Sequence, residues 1–146
     1  MSQENVDLVL GLYPGPALDL AILSRDGELT SKLFEQGEAL FRTDCECVVV
    51  GLRGDDQQVL VGLDQIRSFW LAWLAPWQMF RVVVEDAVDL GDRVVVMHEV
   101  FGRTDETTPV EKLTGTDIWT VSDGRIARVE FHAERAAALR AAGLED

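Results

Sequence analysis

Four closely spaced segments rich in β-branched residues constrain the fold of this chain more than any other feature. They cover residues 82–88, 94–101, 113–121 and 125–132. Short turns separate them at residues 91–92, 104–109 and 122–124, and these turns contain Gly, Asp or Pro. Consecutive strands joined by short turns pair antiparallel, so the second half of the chain is predicted to form a β-meander.

The N-terminal part of the chain has helical periodicity instead. Apolar side chains recur at spacings of three and four residues, at Val6, Val9, Leu10 and Tyr13. Ser2 precedes them in a position to cap the helix. Residues 14–16 (Pro-Gly-Pro) end that helix. A second helical stretch is predicted from Ala17 through Phe41, interrupted at Asp26 and Gly27.

Two further strands, a tryptophan-rich helix and a closing helix complete the order of elements. The strands are predicted at residues 45–52 and 58–62, and a helix capped by Asp64 should end at Pro76. An alanine-rich helix covers residues 133–142 and is followed by Gly143. Helices, then a meander, then a helix indicate an α+β fold, and 146 residues correspond to a single domain over residues 1–146.

The charge and cysteine content exclude several classes of partner. A net charge of −13 argues against nucleic acid and anionic membranes as main partners, since both need a basic face. No segment has the length of a membrane span or the pattern of a signal peptide, so a cytoplasmic protein is expected. Cys45 and Cys47 are predicted to be reduced thiols, and their spacing from His98 and His132 predicts neither a metal site nor a cofactor.

Several motifs resemble the SnoaL-like branch of the nuclear transport factor 2-like superfamily. They are MSQENV at 1–6, GLDQIRSFW at 62–70, GDRVVV at 91–96, IWTVSDGRI at 118–126 and AAALRAAGL at 136–144. The resemblance covers nearly the whole chain, except for a longer helical segment between Pro14 and Thr43. It implies a curved, mostly antiparallel sheet wrapped around helices as a cone with one deep pocket, often in a homodimer.

Strand alternation indicates which face of the sheet lines the pocket. One face of residues 125–132 is apolar at Ala127, Val129 and Phe131. One face of residues 113–121 is also apolar, except that it carries Asp117 in its middle. A carboxyl group in such surroundings is expected to be neutral and to donate a hydrogen bond to a ligand oxygen. The alternative is that Asp117 pairs with an arginine or caps a backbone group near the mouth of the cone. Both faces of residues 94–101 are apolar, so the alternation leaves open which of them is internal.

The resemblance and the alternation together define a candidate site. Similarity to ketosteroid isomerases places Tyr13 and Asp117 at the two oxyanion-hole donors, and Val49 where those enzymes have their base. The carboxylate of limonene epoxide hydrolases and SnoaL-type cyclases falls near Phe131. Glu99 is the remaining candidate base if it neighbours Asp117, and otherwise a rim or outward residue at the end of its strand. The expected ligand contacts are Trp70, Trp73, Met97, Trp119, Val129 and Phe131, whereas His98 and His132 are expected on the opposite face or in a dimer contact.

Two functions of different kinds fit this site. The first is binding of a small, largely apolar molecule with one polar oxygen, with or without cofactor-independent isomerase- or cyclase-type turnover. The second is a non-catalytic dimeric scaffold whose pocket is filled by its own aromatic side chains. Four tryptophans and six phenylalanines are enough to fill such a pocket, so pocket volume discriminates between the two functions.

Overall fold

The computed structural model describes residues 2–51 and 57–144 as five helices and six strands. The helices are α1 (Ser2–Leu10), α2 (Leu20–Ser24), α3 (Gly27–Glu38), α4 (Leu63–Leu74) and α5 (Arg135–Ala141). The strands are β1 (Phe41–Val50), β2 (Gln57–Val61), β3 (Met79–Asp89), β4 (Arg93–Arg103), β5 (Glu111–Ser122) and β6 (Arg125–His132). Leu52 and the predicted turn between β1 and β2 lie outside the described residues.

The six strands form one curved sheet in the order β2-β1-β6-β5-β4-β3. Strands β3 to β6 pair antiparallel in sequence order, which confirms the predicted meander and the α+β class. Helix α4 connects β2, at one edge, to β3, at the other, and the meander then returns to β1. Strand β6 therefore pairs with β1 in parallel, and register shifts interrupt the β3–β4 and β5–β6 ladders.

Local hydrogen bonds explain where the short helices begin. The Asp19 carboxylate accepts from the Ala21 amide at 3.0 Å and caps α2, and Asp26 accepts from the Leu29 amide at 3.0 Å and caps α3. The predicted interruption at Asp26 is therefore a new helix start. The prediction that Asp64 caps α4 was wrong, because Gly62, with φ of 84°, holds that position and no side chain bonds there.

Strand β1 begins four residues earlier than predicted. Residues 41–44 are extended, and Phe41 pairs with Ile126 of β6. The Ile126 amide also donates to the Leu40 carbonyl at 2.7 Å. Pairing with a distant strand has overridden the local helical pattern here.

The two faces of the sheet have different roles. The inner face, which faces the helices, carries the main core, including Cys45, Cys47, Val94, Val96 and Val129. The outer face is covered over part of β4 and β5 by α5, where Val95 and Ile118 pack against Ala142. Within the described residues, no helix has the length and apolar character needed to cross a membrane.

Candidate functional site

Asp117 lies on the inner face at the centre of the sheet. It is directly opposite Val96 on β4 and Phe131 on β6, and only 3% of its surface is exposed. Its placement on an otherwise apolar face is what the strand alternation predicted. A carboxyl group so deeply buried requires hydrogen-bonding partners, and the structure supplies them from two side chains.

Tyr13 is the first partner of Asp117. It follows α1 in a turn, and its hydroxyl donates to Asp117 Oδ2 while accepting from Trp119 Nε1 at 2.8 Å. Burial and then the charge of Asp117 raise the pKa of Tyr13 well above 10, so the phenol keeps its proton. Tyr13 and Asp117, expected as parallel donors to a ligand, are instead bonded to each other.

His98 is the second partner, with its Nε2 3.1 Å from Asp117 Oδ1. The expectation that His98 faces away from the pocket was wrong. It shares the inner face with Val96 and Val100, because the β4–β5 register places it opposite Gly115. Its Nδ1 atom is buried and has no hydrogen-bond partner in the part of the chain that the structure describes.

Gly115 makes room for the imidazole. A Cβ atom at this position would lie 2.6 Å from His98 Cε1 and 3.0 Å from Nε2, closer than such atoms approach in proteins. The glycine therefore determines where the ring lies relative to Asp117. A glycine inside a strand indicates a close approach by another group, and this was the available sequence signal for the position of His98.

The Tyr13–Asp117–His98 cluster lies at the polar end of a cavity of about 570 Å³. Its walls are mainly aromatic and aliphatic, contributed by the turn that follows α1, by α2, α3 and α4, and by the inner face of the sheet. Four of the six predicted ligand contacts line the cavity, namely Trp70, Trp73, Trp119 and Phe131. The Phe131 ring packs edge-on against Trp70 and Trp119, with ring centroids 5.1 and 5.9 Å apart. Trp70, Phe131 and Trp119 form one continuous aromatic wall, whereas Trp73 packs against Trp77 and Phe80.

The structure corrects the expected placement of three other site residues. Glu99 pairs with Thr114 in the ladder and lies on the outer face, where Lys112 Nζ is 2.6 Å from its carboxylate. It is not a neighbour of Asp117. Met97 lies on that outer face too, because alternate residues of a strand point to the same side and Met97 is two residues before Glu99. Val129 is on the inner face, but it packs in the core and does not line the cavity.

His132 stays on the outer face, where the alternation of β6 placed it. Its ladder partner is Thr116, and its Nε2 is 3.1 Å from Glu130 Oε1. Arg128, on the same face, lies 3.6 Å from the other oxygen of Glu130. His132 is therefore part of a polar cluster with Glu130 and Arg128, separate from His98, although it also borders one end of the cavity.

The two thiols of β1 are buried beside the site. Burial is the main cause that raises the pKa of Cys45 to about 11 and that of Cys47 to about 12, with the charge of Asp117 contributing to the latter. Both are free and protonated at neutral pH. Among the described residues, no three His, Cys, Asp or Glu side chains lie close enough together to hold a metal ion.

A second hollow of about 710 Å³ lies between α4 and the β1–β2 pair. Several of its lining side chains are amides or hydroxyls, at Gln57, Gln58, Gln65 and Ser68. Its described lining residues include no paired acid and base. The chemistry that the described residues offer is therefore concentrated in the His98–Asp117 cavity. A carboxylate that orients an imidazole is a common arrangement for proton transfer.

Comparison with known proteins shows which family model and which solved structures this chain resembles. A model of the SnoaL-like domain matches residues 28–129. No curated protein matches the chain. A solved structure described as a putative SnoaL-like polyketide cyclase from Jannaschia sp. CCS1 is 18% identical, with a TM-score of 0.68 over 89% of this chain and 85% of that one.

Two more solved structures share the fold. TerC, co-crystallized with polyporic acid, is 20% identical, with a TM-score of 0.64 over 94% of this chain and 96% of its own. A loop-truncation variant of IdmH is 20% identical, with a TM-score of 0.60 over 86% of this chain and 89% of its own. At these identities, the likeness concerns the fold alone.

Proposed function

The chain belongs to the SnoaL-like family, and on that premise we propose that its cavity binds a small, largely apolar molecule and transfers a proton on it without a cofactor. The observation that carries this proposal is the His98–Asp117 pair at the polar end of a cavity with apolar walls. A cavity of about 570 Å³ is in the usual range for small-molecule sites. The co-crystal of TerC with polyporic acid supports a ligand of this general kind.

Each member of the cluster has a distinct role in the proposed reaction. An ionised Asp117 accepts from His98 Nε2–H, which leaves the lone pair of the neutral imidazole on Nδ1. His98 can then take a proton from a bound ligand and return it to another atom, as an isomerisation or cyclisation requires. Asp117 stabilises the imidazolium formed in between, and Tyr13 holds Asp117 in position.

Binding and turnover can be tested separately with the tryptophans already present. We would titrate the purified protein with planar phenols, enones and polycyclic ketones while following tryptophan emission. Saturable quenching is expected, because Trp70, Trp73 and Trp119 line the cavity. In His98→Gln, turnover of the tightest binder should fall by about 10²- to 10⁴-fold with binding largely kept, since proton transfer contributes on that order.

Glu99→Gln is the matched control. It removes a carboxylate that lies on the outer face and bonds to Lys112, so binding and turnover should both be unchanged. If Glu99→Gln abolishes turnover and His98→Gln does not, the role of base does not belong to His98. If no compound quenches, the ligand-binding proposal fails and the scaffold function is favoured.

We also propose that the protein acts as a cytoplasmic homodimer. Two valines of the edge strand β2, Val59 and Val61, are 51% and 48% exposed on the outer face. Exposed apolar side chains grouped on one face support an interface there.

The free thiols Cys45 and Cys47 fit a reducing compartment.

A further inference from the structure

We infer that the cavity selects its ligand by charge and by hydrogen-bond polarity: it takes uncharged ring compounds that bring a hydrogen-bond donor, such as phenols or carboxamides, and excludes anions. This inference rests on the proposed function and specifies the substrate class for the same site. Three observations lead to it, concerning the charges around the cavity, the use of the donors at its polar end, and its walls.

The first observation is that the described lining of the cavity contains no lysine or arginine. Among the described residues that line it, Asp117 is the one acidic side chain. Arg25, which follows the lining residue Ser24, donates to the carbonyls of Ala21 and Trp77. Lys112 is held by Glu99 on the other face of the sheet. An anionic ligand would therefore lose its hydration without gaining an opposite charge from these residues.

The second observation is that the donors at the polar end are already used. The Tyr13 hydroxyl gives its proton to Asp117, and the Trp119 indole N–H donates to Tyr13. With Asp117 ionised, His98 Nε2–H is also directed at the carboxylate. What remains is acceptor capacity, namely His98 Nδ1, which is buried and has no partner among the described residues, and the lone pairs of Asp117 that Tyr13 and His98 do not use. A ligand satisfies these groups by donating a hydrogen bond.

The third observation is the low polarity of the remaining walls. They are built by aromatic and aliphatic side chains such as Trp70, Trp73, Leu74 and Phe80. Charges interact strongly in surroundings of this kind, so a second negative charge near Asp117 is repelled more than it would be in water. This polarity is the reverse of the one expected from an oxyanion hole, in which Tyr13 and Asp117 both donate to the ligand.

Four probes of one size test the inference. Isothermal titration at pH 7 would compare 2-naphthol, 2-naphthamide, 2-methoxynaphthalene and 2-naphthoate. The naphthol and the naphthamide should bind about tenfold more tightly than the methoxy compound, which lacks a donor. Naphthoate should bind about a hundredfold more weakly than naphthol, and Asp117→Asn should reduce that difference by at least about tenfold.

The outcomes separate this inference from the proposed function. If naphthoate binds the wild-type protein as tightly as naphthol, the inference is overturned while the cavity remains a ligand site. If the methoxy compound binds as well as naphthol, the requirement for a donor is also overturned. If none of the four probes binds, both proposals fail. The wild-type comparison decides the charge preference by itself, so the test survives poor folding of Asp117→Asn.

Discussion

At the scale of single residues, the position of His98 depends on the missing side chain of Gly115. In Gly115→Ala, the new Cβ would lie within 3.0 Å of two imidazole atoms, so the ring must shift from its position beside Asp117. We expect a loss of about 1–3 kcal/mol in the free energy of unfolding, as is usual for overpacking. We also expect the hydrogen-bonded His98 Nε2–H resonance to disappear from the NMR spectrum.

Gly37→Ala is the matched control for that substitution. Gly37 lies in α3 with open space around its Cα, so alanine should raise the free energy of unfolding by about 0.4–1 kcal/mol and leave the His98 resonance in place. An unchanged His98 signal in Gly115→Ala would show that the glycine does not position the ring.

The buried thiol of Cys47 predicts how stability depends on pH. Its folded pKa of about 12 lies above the value of about 8.5 for an unfolded cysteine. Above pH 8.5 the unfolded chain loses a proton that the native state keeps, so stability falls as the pH rises towards 12. In Cys47→Ala, we expect the decrease between pH 8.5 and 10.5 to be smaller by about 2 kcal/mol in urea unfolding. Parallel curves for the two proteins would mean that the native thiol ionises freely.

The sequence predicted the sheet face of Asp117 correctly and that of His98 wrongly, for a definite reason. Asp117 interrupts an apolar alternation, so the face to which it belongs is evident from β5 alone. His98 and Glu99 sit on a strand whose two faces are both apolar, because one faces the core and the other meets α5 near Val95. Only the register that pairs His98 with Gly115 decides between the faces, and that register depends on the whole β4–β5 hairpin.

At the scale of elements, Asp19 connects α2 to the sheet beside the cavity. Its carboxylate accepts from the Ala21 amide, as a helix cap, and from the Phe80 amide of β3 at 3.0 Å. Asp26 caps α3 through the Leu29 amide alone. Asp19→Ala should therefore cost about 2 kcal/mol and Asp26→Ala about 1 kcal/mol in the free energy of unfolding.

Hydrogen exchange should show the same difference locally. In Asp19→Ala, amides of α2 should exchange faster together with that of Phe80, whereas in Asp26→Ala the change should stay within α3. Equal losses of stability and the same exchange pattern in both variants would show that the bond to Phe80 contributes nothing.

The order of the elements was predictable, whereas some of their boundaries were not. Turn residues and β-branched runs locate the meander because those signals are local. The local helical pattern reaches Phe41, but Phe41 pairs with Ile126 of β6, which follows more than 80 positions later in the chain. A glycine with positive φ at residue 62 displaced the expected cap at Asp64.

At the scale of the whole molecule, the outer face of β1 and β2 determines the expected oligomer. Val59 and Val61 project from β2 opposite Val48 and Glu46, and both valines are about half exposed. If this face joins two copies, the protein should sediment at twice the mass of its 16.2 kDa chain. Val59→Asp and Val61→Asp should each shift it to monomer, because a buried interface does not tolerate an unpaired charge.

Ile22→Asp provides the control for that experiment. Ile22 is 64% exposed on α2, on the helical side of the sheet, so its substitution removes a similar apolar side chain without touching the outer face. It should leave the sedimenting mass unchanged. Wild-type protein that stays monomeric over the accessible concentration range would overturn the dimer. Dissociation by Ile22→Asp alone would instead place the contact on the helical side, beside the α2 wall of the cavity.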